Sequence, residues 1–340
     1  MEINMKKEVS FLVCGMLIGI LIASCGFAWY LRTYGNGSSG QVVLKLGHCL
    51  ETTHPVHKAM EFMKERLEEL SGGTVTIDIY PSSVLGSEVQ CIEQLQNGSL
   101  AMTKTSAASI ENFVPEMSVF GYPYLFRDET HYWDVLKSNL GRSLLQKGNA
   151  QKLRGLCYYD SGSRNFYTVN RPIHTPDDLR GLKIRVMNSR TAMNMVECLG
   201  GSPTPIAWGE LYSSLAQGTV DGAENNLPSF VTNKHYEVCK HFSKDAHTRI
   251  PDMLLMSTIV WDKLTPQVQA WVQQAADESS DYQRELWRVK TAESLEQAKA
   301  EGVTVYDVDQ SLFAAKVQPM YDALEDETIK DLIKQIREVK

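Results

Sequence analysis

The sequence predicts an α/β fold of two lobes, with one helix long enough to brace both. From residue 42 onward, short apolar strands alternate with helical segments, which is typical of mostly parallel sheets flanked by helices. The pattern of helix end, glycine and short strand occurs at 95–102 and again at 215–222, which indicates two lobes of similar construction. Residues 266–301 are helical in pattern and would extend roughly 50 Å at 1.5 Å per residue.

These observations predict a division of the 340-residue chain into a leader and two lobes. Residues 1–40 precede the folded body. We expect 41–160 and 251–290 to form the first lobe, and 161–250 and 291–340 to form the second. A chain of this length can supply each lobe with an apolar core of its own.

The first forty residues have the pattern of a targeting segment. Lys6 and Lys7 precede a nearly uninterrupted apolar run, 9–31. Within it, Ile22-Ala23-Ser24-Cys25 resembles a lipoprotein processing site, at which Cys25 would be lipidated. The alternative is an uncleaved signal anchor, because an apolar run of this length can span a bilayer. Both interpretations place the protein outside the cytoplasm, tethered to a membrane through a flexible segment at 34–40.

The net charge and the cysteine pattern argue against a nucleic-acid-binding protein and against a fold that depends on disulfides. The net charge of -7 argues against nucleic acids and anionic membrane surfaces as partners. Two of the seven cysteines lie in the leader, no C-x-x-C is present, and the remaining odd number cannot pair completely. We therefore expect buried free thiols and no essential disulfide, at Cys49, Cys91, Cys157, Cys198 and Cys239.

The elements that open the first lobe follow from periodicity and capping. Residues 43–47 and 75–80 are predicted strands, and 55–70 is an amphipathic helix that ends at paired glycines. Ser87 and Gln90 have the spacing of a capping box, which opens a helix that ends at an Asn-Gly pair.

Arg185 is the candidate binding residue with the most specific setting. Residues 182–187 are a predicted strand, and Asn188 follows at its carboxyl end, where ligands of open α/β sheets bind. A guanidinium there suits a carboxylate, because its planar fork donates two parallel hydrogen bonds. The alternative is an arginine at the edge of a sheet, paired with Asp or Glu.

Two further polar positions follow predicted strands. The strand at 156–159 breaks at Gly162 and resumes at Phe166, so that Arg164 lies either at a crossover between lobes or in a solvated loop. Residues 221–226 are a predicted polar loop, in which Asn225 can both donate and accept hydrogen bonds.

The sequence contains neither a G-x-S-x-G motif nor a Walker A motif, two common signatures of enzymes. His54 with His57, and His235 with Cys239 and His241 on a predicted helix, are better explained as capping or core residues than as metal ligands. We expect no catalytic activity, no cofactor and no metal.

Several motifs together resemble the solute receptors of TRAP transporters, the tripartite ATP-independent periplasmic uptake systems. They lie at 80–88, 115–126, 181–188, 203–212 and 217–225, and the resemblance covers nearly everything after residue 41. It implies a two-lobed fold like that of periplasmic binding proteins, with a long helix spanning both lobes. It also implies closure of the lobes on a carboxylate ligand and delivery of that ligand to membrane transporter subunits.

The resemblance also implies roles for individual residues. Arg185 matches the arginine that clamps the carboxylate, Arg164 a second arginine, and Asn225 the asparagine on the opposing wall. Trp208 falls where the family often has an aromatic residue lining the pocket.

The ligand that the resemblance favours is a hexuronate such as glucuronate or galacturonate. Ser106 and Glu88 fall on loops of the first lobe that reach ligand hydroxyls, and polar side chains at His54 and Asn188 also suit a hydroxylated ligand. We expect Glu88 to repel a second carboxylate. C4-dicarboxylates, other sugar acids and a role as a membrane-anchored sensory receptor remain alternatives.

Overall fold

A computed structural model describes residues 41–340, and Val43–Lys340 form one compact unit. The predicted leader, its tether and Cys25 lie outside the described residues. Within the described part of the chain, no helix is both long enough and apolar enough to cross a bilayer.

The first of the two sheets has five strands in the order β2-β1-β3-β10-β4. β1 pairs parallel to β3, whereas β10 runs antiparallel to both of its neighbours. The strands are β1 (Val42–Gly47), β2 (Val75–Tyr80), β3 (Met102–Ser106), β4 (Leu153–Tyr159) and β10 (Asp252–Ser257).

The second sheet has six strands in the order β11-β9-β5-β8-β6-β7. β6 pairs parallel to β7 and β8, whereas β5 runs antiparallel to β8 and β9. The strands are β5 (Arg164–Thr168), β6 (Lys183–Val186), β7 (Ser202–Pro205), β8 (Gly222–Asn225), β9 (His241–Thr248) and β11 (Thr304–Asp307). The prediction of mostly parallel sheets is thus wrong for β5 and β10. The chain enters each of these strands directly from the other sheet, without a helical crossover that would reverse its direction.

The helices lie between the strands and after them. They are α1 (Pro55–Ser71), α2 (Glu88–Asn97), α3 (Ala107–Ile110), α4 (Glu129–Lys137), α5 (Asn139–Gln146), α6 (Arg190–Leu199), α7 (Leu211–Ala216), α8 (Leu227–Thr232), α9 (Thr258–Trp261), α10 (Pro266–Ala300), α11 (Gln310–Asp322) and α12 (Glu327–Glu338). The predicted capping box of α2 is confirmed, because Ser87 and Gln90 each bond the other's backbone N–H. The predicted end of α1 is also confirmed, with Gly72 in the left-handed region at φ 60°.

The long helix predicted at the C-terminal side is confirmed as α10, which has 35 residues. It packs on α1 and β4 and also on α8, so that it contacts elements attached to both sheets. The boundaries predicted for the lobes stay a prediction. α12 lies in the segment assigned to the second lobe, yet its apolar face, Ile329, Leu332, Ile333 and Ile336, belongs to the core cluster of the first sheet.

Two local predictions are wrong. The segment from His235 to His241 is not a helix, because a 3-10 turn at His235–Glu237 is followed by strand β9, which begins at His241. Asn225 is the last residue of strand β8 rather than part of a loop. The prediction of buried free thiols is confirmed for Cys49, Cys91, Cys157 and Cys239, whereas the free thiol of Cys198 is only partly buried.

Candidate ligand-binding site

A cavity with about 400 Å³ of empty space, part of it open to solvent, is lined by elements of both sheets. The side chains contributed by the first sheet and its helices include Cys49, Leu50, Glu88, Lys104, Ser106 and Asp252. Those contributed by the second include Arg164, Arg185, Trp208, Asn225, Asn226 and Ser229. The cavity is therefore rich in polar groups, and its two arginines stand on β5 and β6 of the second sheet, with β8 between them.

Arg185 is held in place but is not neutralised. It lies on β6, only 2% exposed, and its Nε donates to the carbonyl of Ile206 at 2.8 Å. Its Nη1 is buried and has no hydrogen-bond partner among the described residues. Burial lowers the pKa of this guanidinium, which would gain from a carboxylate partner. The alternative of an arginine paired at a sheet edge does not describe this geometry.

Arg164 differs from Arg185 because most of its N–H donors already have hydrogen-bond partners within the protein. It begins β5, and its Nε and Nη2 form a bidentate pair with the carboxylate of Glu224 on the neighbouring strand. Nη2 also donates to the carbonyl of Glu224 at 2.8 Å, and Nη1 donates to Asn225 Oδ1 at 3.0 Å. Arg164 thus lines the cavity as half of an internal ion pair.

This ion pair continues into a buried network. His247 lies 3.4 Å from Glu224 Oε2 through Nε2 and 2.7 Å from Asp245 Oδ2 through Nδ1. Burial acts to lower the pKa of His247, but the two carboxylates raise it to about 9. Burial likewise acts to raise the pKa of Glu224, but Arg164 and His247 lower it to about 2. A protonated His247 and Arg164 therefore flank the ionised Glu224 next to the cavity.

Asn225 and Trp208 add neutral polar groups to the wall of the cavity that the second sheet contributes. Oδ1 of Asn225 accepts from Arg164 and from the backbone N–H of Asn226, which orients its amide NH₂ as the group left for other partners. The indole Nε1 of Trp208 is buried and, among the described residues, has no hydrogen-bond partner. The Trp208 ring centroid lies 5.7 Å from Cζ of Arg185.

Glu88 faces the arginines from the first sheet, at the first turn of α2. Lys104 Nζ lies 3.5 Å from Glu88 Oε1 and 3.0 Å from Asp252 Oδ2. The backbone N–H of Ser106 and the hydroxyl of Ser109 also donate to Glu88. Burial acts to lower the pKa of Lys104, but Asp252 and Glu88 raise it above its usual range. The cluster joins one cation to two carboxylates.

Ser106 lines the cavity at the end of β3, where its Oγ accepts from the backbone N–H of Ala108 at the start of α3. It is therefore a strand-end and N-cap residue rather than a loop residue. Its hydroxyl proton is left to donate toward the cavity.

Two predicted site residues do not line this cavity. His54 is the N-cap of α1, and its Nε2 lies 3.1 Å from the hydroxyl of Ser229 on α8. Burial holds the pKa of His54 well below its ordinary value, so that the ring is neutral and donates through Nε2. Asn188 is exposed at a neighbouring opening, and its carbonyl accepts from Asn112.

Sequence reasoning missed Lys104, Asp252 and Glu224. A signal was available for Lys104, because a lysine in the middle of a buried strand is rare unless it is paired. Asp252 offered the same signal at the start of the apolar strand β10. Within residues 41–340, no group of three or more His, Cys, Asp or Glu side chains is arranged so that it could hold a metal ion.

Comparisons with known proteins agree with this architecture. The family of bacterial extracellular solute-binding proteins, family 7, matches residues 46–328. The chain is 39% identical over 296 residues to the uncharacterized protein YiiZ of Salmonella typhimurium, covering 86% of this chain and 90% of that one.

Solved structures of TRAP periplasmic solute-binding proteins match it as well. One from Xanthobacter autotrophicus, with bound β-D-galacturonate, has a TM-score of 0.85 at 36% identity, covering 87% of this chain and 100% of that one. Another from Polaromonas, bound to D-erythronate, has a TM-score of 0.85 at 33% identity, covering 88% and 99%. This chain therefore belongs to the family 7 extracellular solute-binding proteins, the solute receptors of TRAP transporters.

Proposed function

We propose that this receptor binds a hydroxylated monocarboxylate, a hexuronate such as galacturonate or glucuronate, by closure of two lobes. It then delivers the acid to the membrane subunits of a TRAP transporter. The observation that carries the proposal is Arg185, a buried cation that lines the cavity and whose Nη1 has no hydrogen-bond partner among the described residues. A ligand carboxylate would supply the missing acceptor and the missing charge.

The charge pattern supports one carboxylate rather than two. The other cations that line the cavity already have partners, Arg164 in Glu224 and Lys104 in Glu88 and Asp252. One lysine between two carboxylates leaves that wall net negative, which repels a second carboxylate and accepts hydrogen bonds from hydroxyl groups. The galacturonate and erythronate bound by the two similar structures are both monocarboxylates rich in hydroxyls.

Ligand-induced thermal stabilisation tests the ligand class. We expect galacturonate or glucuronate to raise the melting temperature more than succinate or malate does, since a ligand at 100 times its Kd stabilises by about 2.7 kcal/mol. Glu88→Gln should reduce the difference in melting temperature between the hexuronate and dicarboxylate samples, because it removes the negative charge that repels a second carboxylate. Stronger stabilisation of the wild type by succinate or malate would contradict the hexuronate proposal.

We further propose that the receptor acts outside the cytoplasm and is tethered to the membrane by its N-terminus. The apolar run and Cys25 support this proposal, and the family is one of periplasmic transport proteins rather than enzymes. If Cys25 is lipidated, Cys25→Ser should abolish incorporation of labelled fatty acid, because only the thiol accepts the lipid. A wild-type chain that takes up no label but stays in the membrane fraction would indicate a signal anchor instead.

A further inference from the structure

Arg185 and Trp208 both line the cavity, and each has a buried hydrogen-bond donor without an acceptor within the described residues. One is Arg185 Nη1, on a guanidinium fixed through its Nε to the carbonyl of Ile206. The other is Nε1 of Trp208, two residues after Ile206 in the chain. The same short segment therefore anchors the cation and carries the indole.

The indole of Trp208 packs against the buried ring of His235. The His235 ring centroid lies 5.1 Å from that of Trp208, and His235 is only 1% exposed. His235 is fixed in turn, because its Nδ1 lies 2.9 Å from the hydroxyl of Tyr167. The N–H of Trp208 thus belongs to a ring that packing holds beside the guanidinium, with 5.7 Å between Cζ and the ring centroid.

A carboxylate held by Arg185 would bring its neighbouring carbon to the indole. Uronic and aldonic acids carry an oxygen on that carbon, whereas succinate carries a methylene there. A buried N–H without an acceptor costs about 1–3 kcal/mol, so that a ligand offering an oxygen is favoured over one offering a methylene. A ring used only to cover the guanidinium through its π face would not need an indole N–H.

We propose that Trp208 is a specificity-determining residue, whose N–H acts with Arg185 to recognise a carboxylate together with the oxygen on the carbon next to it. The acid class selected is the α-oxygenated carboxylates, which include the hexuronates through their ring oxygen. This inference rests on the proposed function and specifies that the site recognises the carboxylate and the oxygen on the adjacent carbon of the ligand.

The test pairs two ligands with two changes at one position. The ligands are D-galacturonate and its carbocyclic analogue, in which a methylene replaces the ring oxygen next to the carboxylate-bearing carbon. The protein changes are Trp208→Phe, which keeps an aromatic face, and benzothienylalanine at position 208, which keeps the two-ring shape but replaces N–H by sulfur. Calorimetric titration measures the ratio of the two Kd values in each protein.

We expect the wild type to prefer galacturonate to the analogue by roughly five- to tenfold, and both altered proteins to lose most of this preference. An unchanged ratio with benzothienylalanine, or equal weakening of both ligands, would overturn the inference and leave Trp208 as a wall of the cavity. A wild type that binds galacturonate with no preference would also overturn it, without affecting the proposed function. A wild type that does not bind galacturonate would overturn the proposed function first.

Discussion

Arg164 and Arg185 resemble each other in sequence, since each stands on a strand near polar residues, but their surroundings separate them. The carboxylate of Glu224 occupies Arg164, whereas Arg185 keeps a buried donor unpartnered within the described residues. Because removal of one partner exposes the full desolvation cost of the other, these two residues should respond differently to mutation. The direct contact of Arg164 with the ligand stays a prediction.

Arg185→Ala should weaken binding of the best acid by roughly 2–5 kcal/mol, the range for truncating one member of a buried charge pair. Arg185→Lys should lose much of the same affinity, because an ammonium keeps the charge without the planar fork. The thermal stability of the ligand-free protein should change little, since Arg185 lacks a carboxylate partner in the described residues. Calorimetric titration and thermal melts measure the two effects.

The control for Arg185 is Arg288→Ala, which removes an exposed arginine from α10. It should leave affinity unchanged. Near wild-type affinity of Arg185→Lys would mean that the residue supplies only diffuse positive charge. A large loss of ligand-free stability in Arg185→Ala would support a structural role.

At the scale of elements, α10 organises the connection between the sheets. Gln283 is fully buried on this helix, and its amide bonds both backbone groups of Asp160, accepting from the N–H at 2.7 Å and donating to the carbonyl at 2.8 Å. Asp160 directly follows β4, so this contact pins the start of the crossover. Gly162, two residues on, has φ 58° and lies against Trp287 of the same helix. The long helix thereby fixes the path by which the chain reaches Arg164.

Gln283→Leu should reduce the free energy of unfolding by about 2–4 kcal/mol, because it leaves a buried N–H and a buried carbonyl of Asp160 without partners. Gln274→Leu is the matched control on the same helix, at an exposed position, and should change stability by less than about 0.5 kcal/mol. Urea unfolding of both variants measures the difference. Equal effects would show that the contact with Asp160 contributes nothing specific.

At the scale of the whole molecule, the buried charges link stability to pH. The pKa of His247 is raised to about 9 in the folded protein, against 6.5 for an ordinary histidine. The folded state therefore binds a proton that the unfolded state releases between these values. The stabilisation from His247 is fully present below pH 6.5 and is lost as the pH rises through 9.

We expect the free energy of unfolding to fall on the order of a few kcal/mol between pH 6.5 and 9. In His247→Gln this alkaline decline should be much shallower, since glutamine does not titrate. Urea unfolding at a series of pH values measures both slopes. Parallel declines in the wild type and the variant would show that His247 is not the responsible group.

The ends and caps of several helices can be predicted from the sequence alone, because the interactions that set them are local. The capping box at Ser87, the glycine that ends α1 and the helix that begins at Pro266 depend on neighbours within a few residues. The motifs around Arg185 and Asn225 were also enough to indicate the family and the two-sheet architecture. The same local reasoning failed for the turn at His235–Glu237, where tertiary packing against Trp208 and Tyr167 overrides the helical pattern.

Only the tertiary structure decided which polar groups are neutralised and which remain available. Lys104 meets Asp252 because β10 pairs with β3, which brings together residues 148 positions apart. The pairing of β5 with β8 likewise places Glu224 against Arg164, whereas the hydrogen-bond partner that residues 41–340 give Arg185 on β6 is a backbone carbonyl. The sequence shows which residues are charged. Their ion-pair and hydrogen-bond partners depend on strand order and register, which are set by packing of the whole chain.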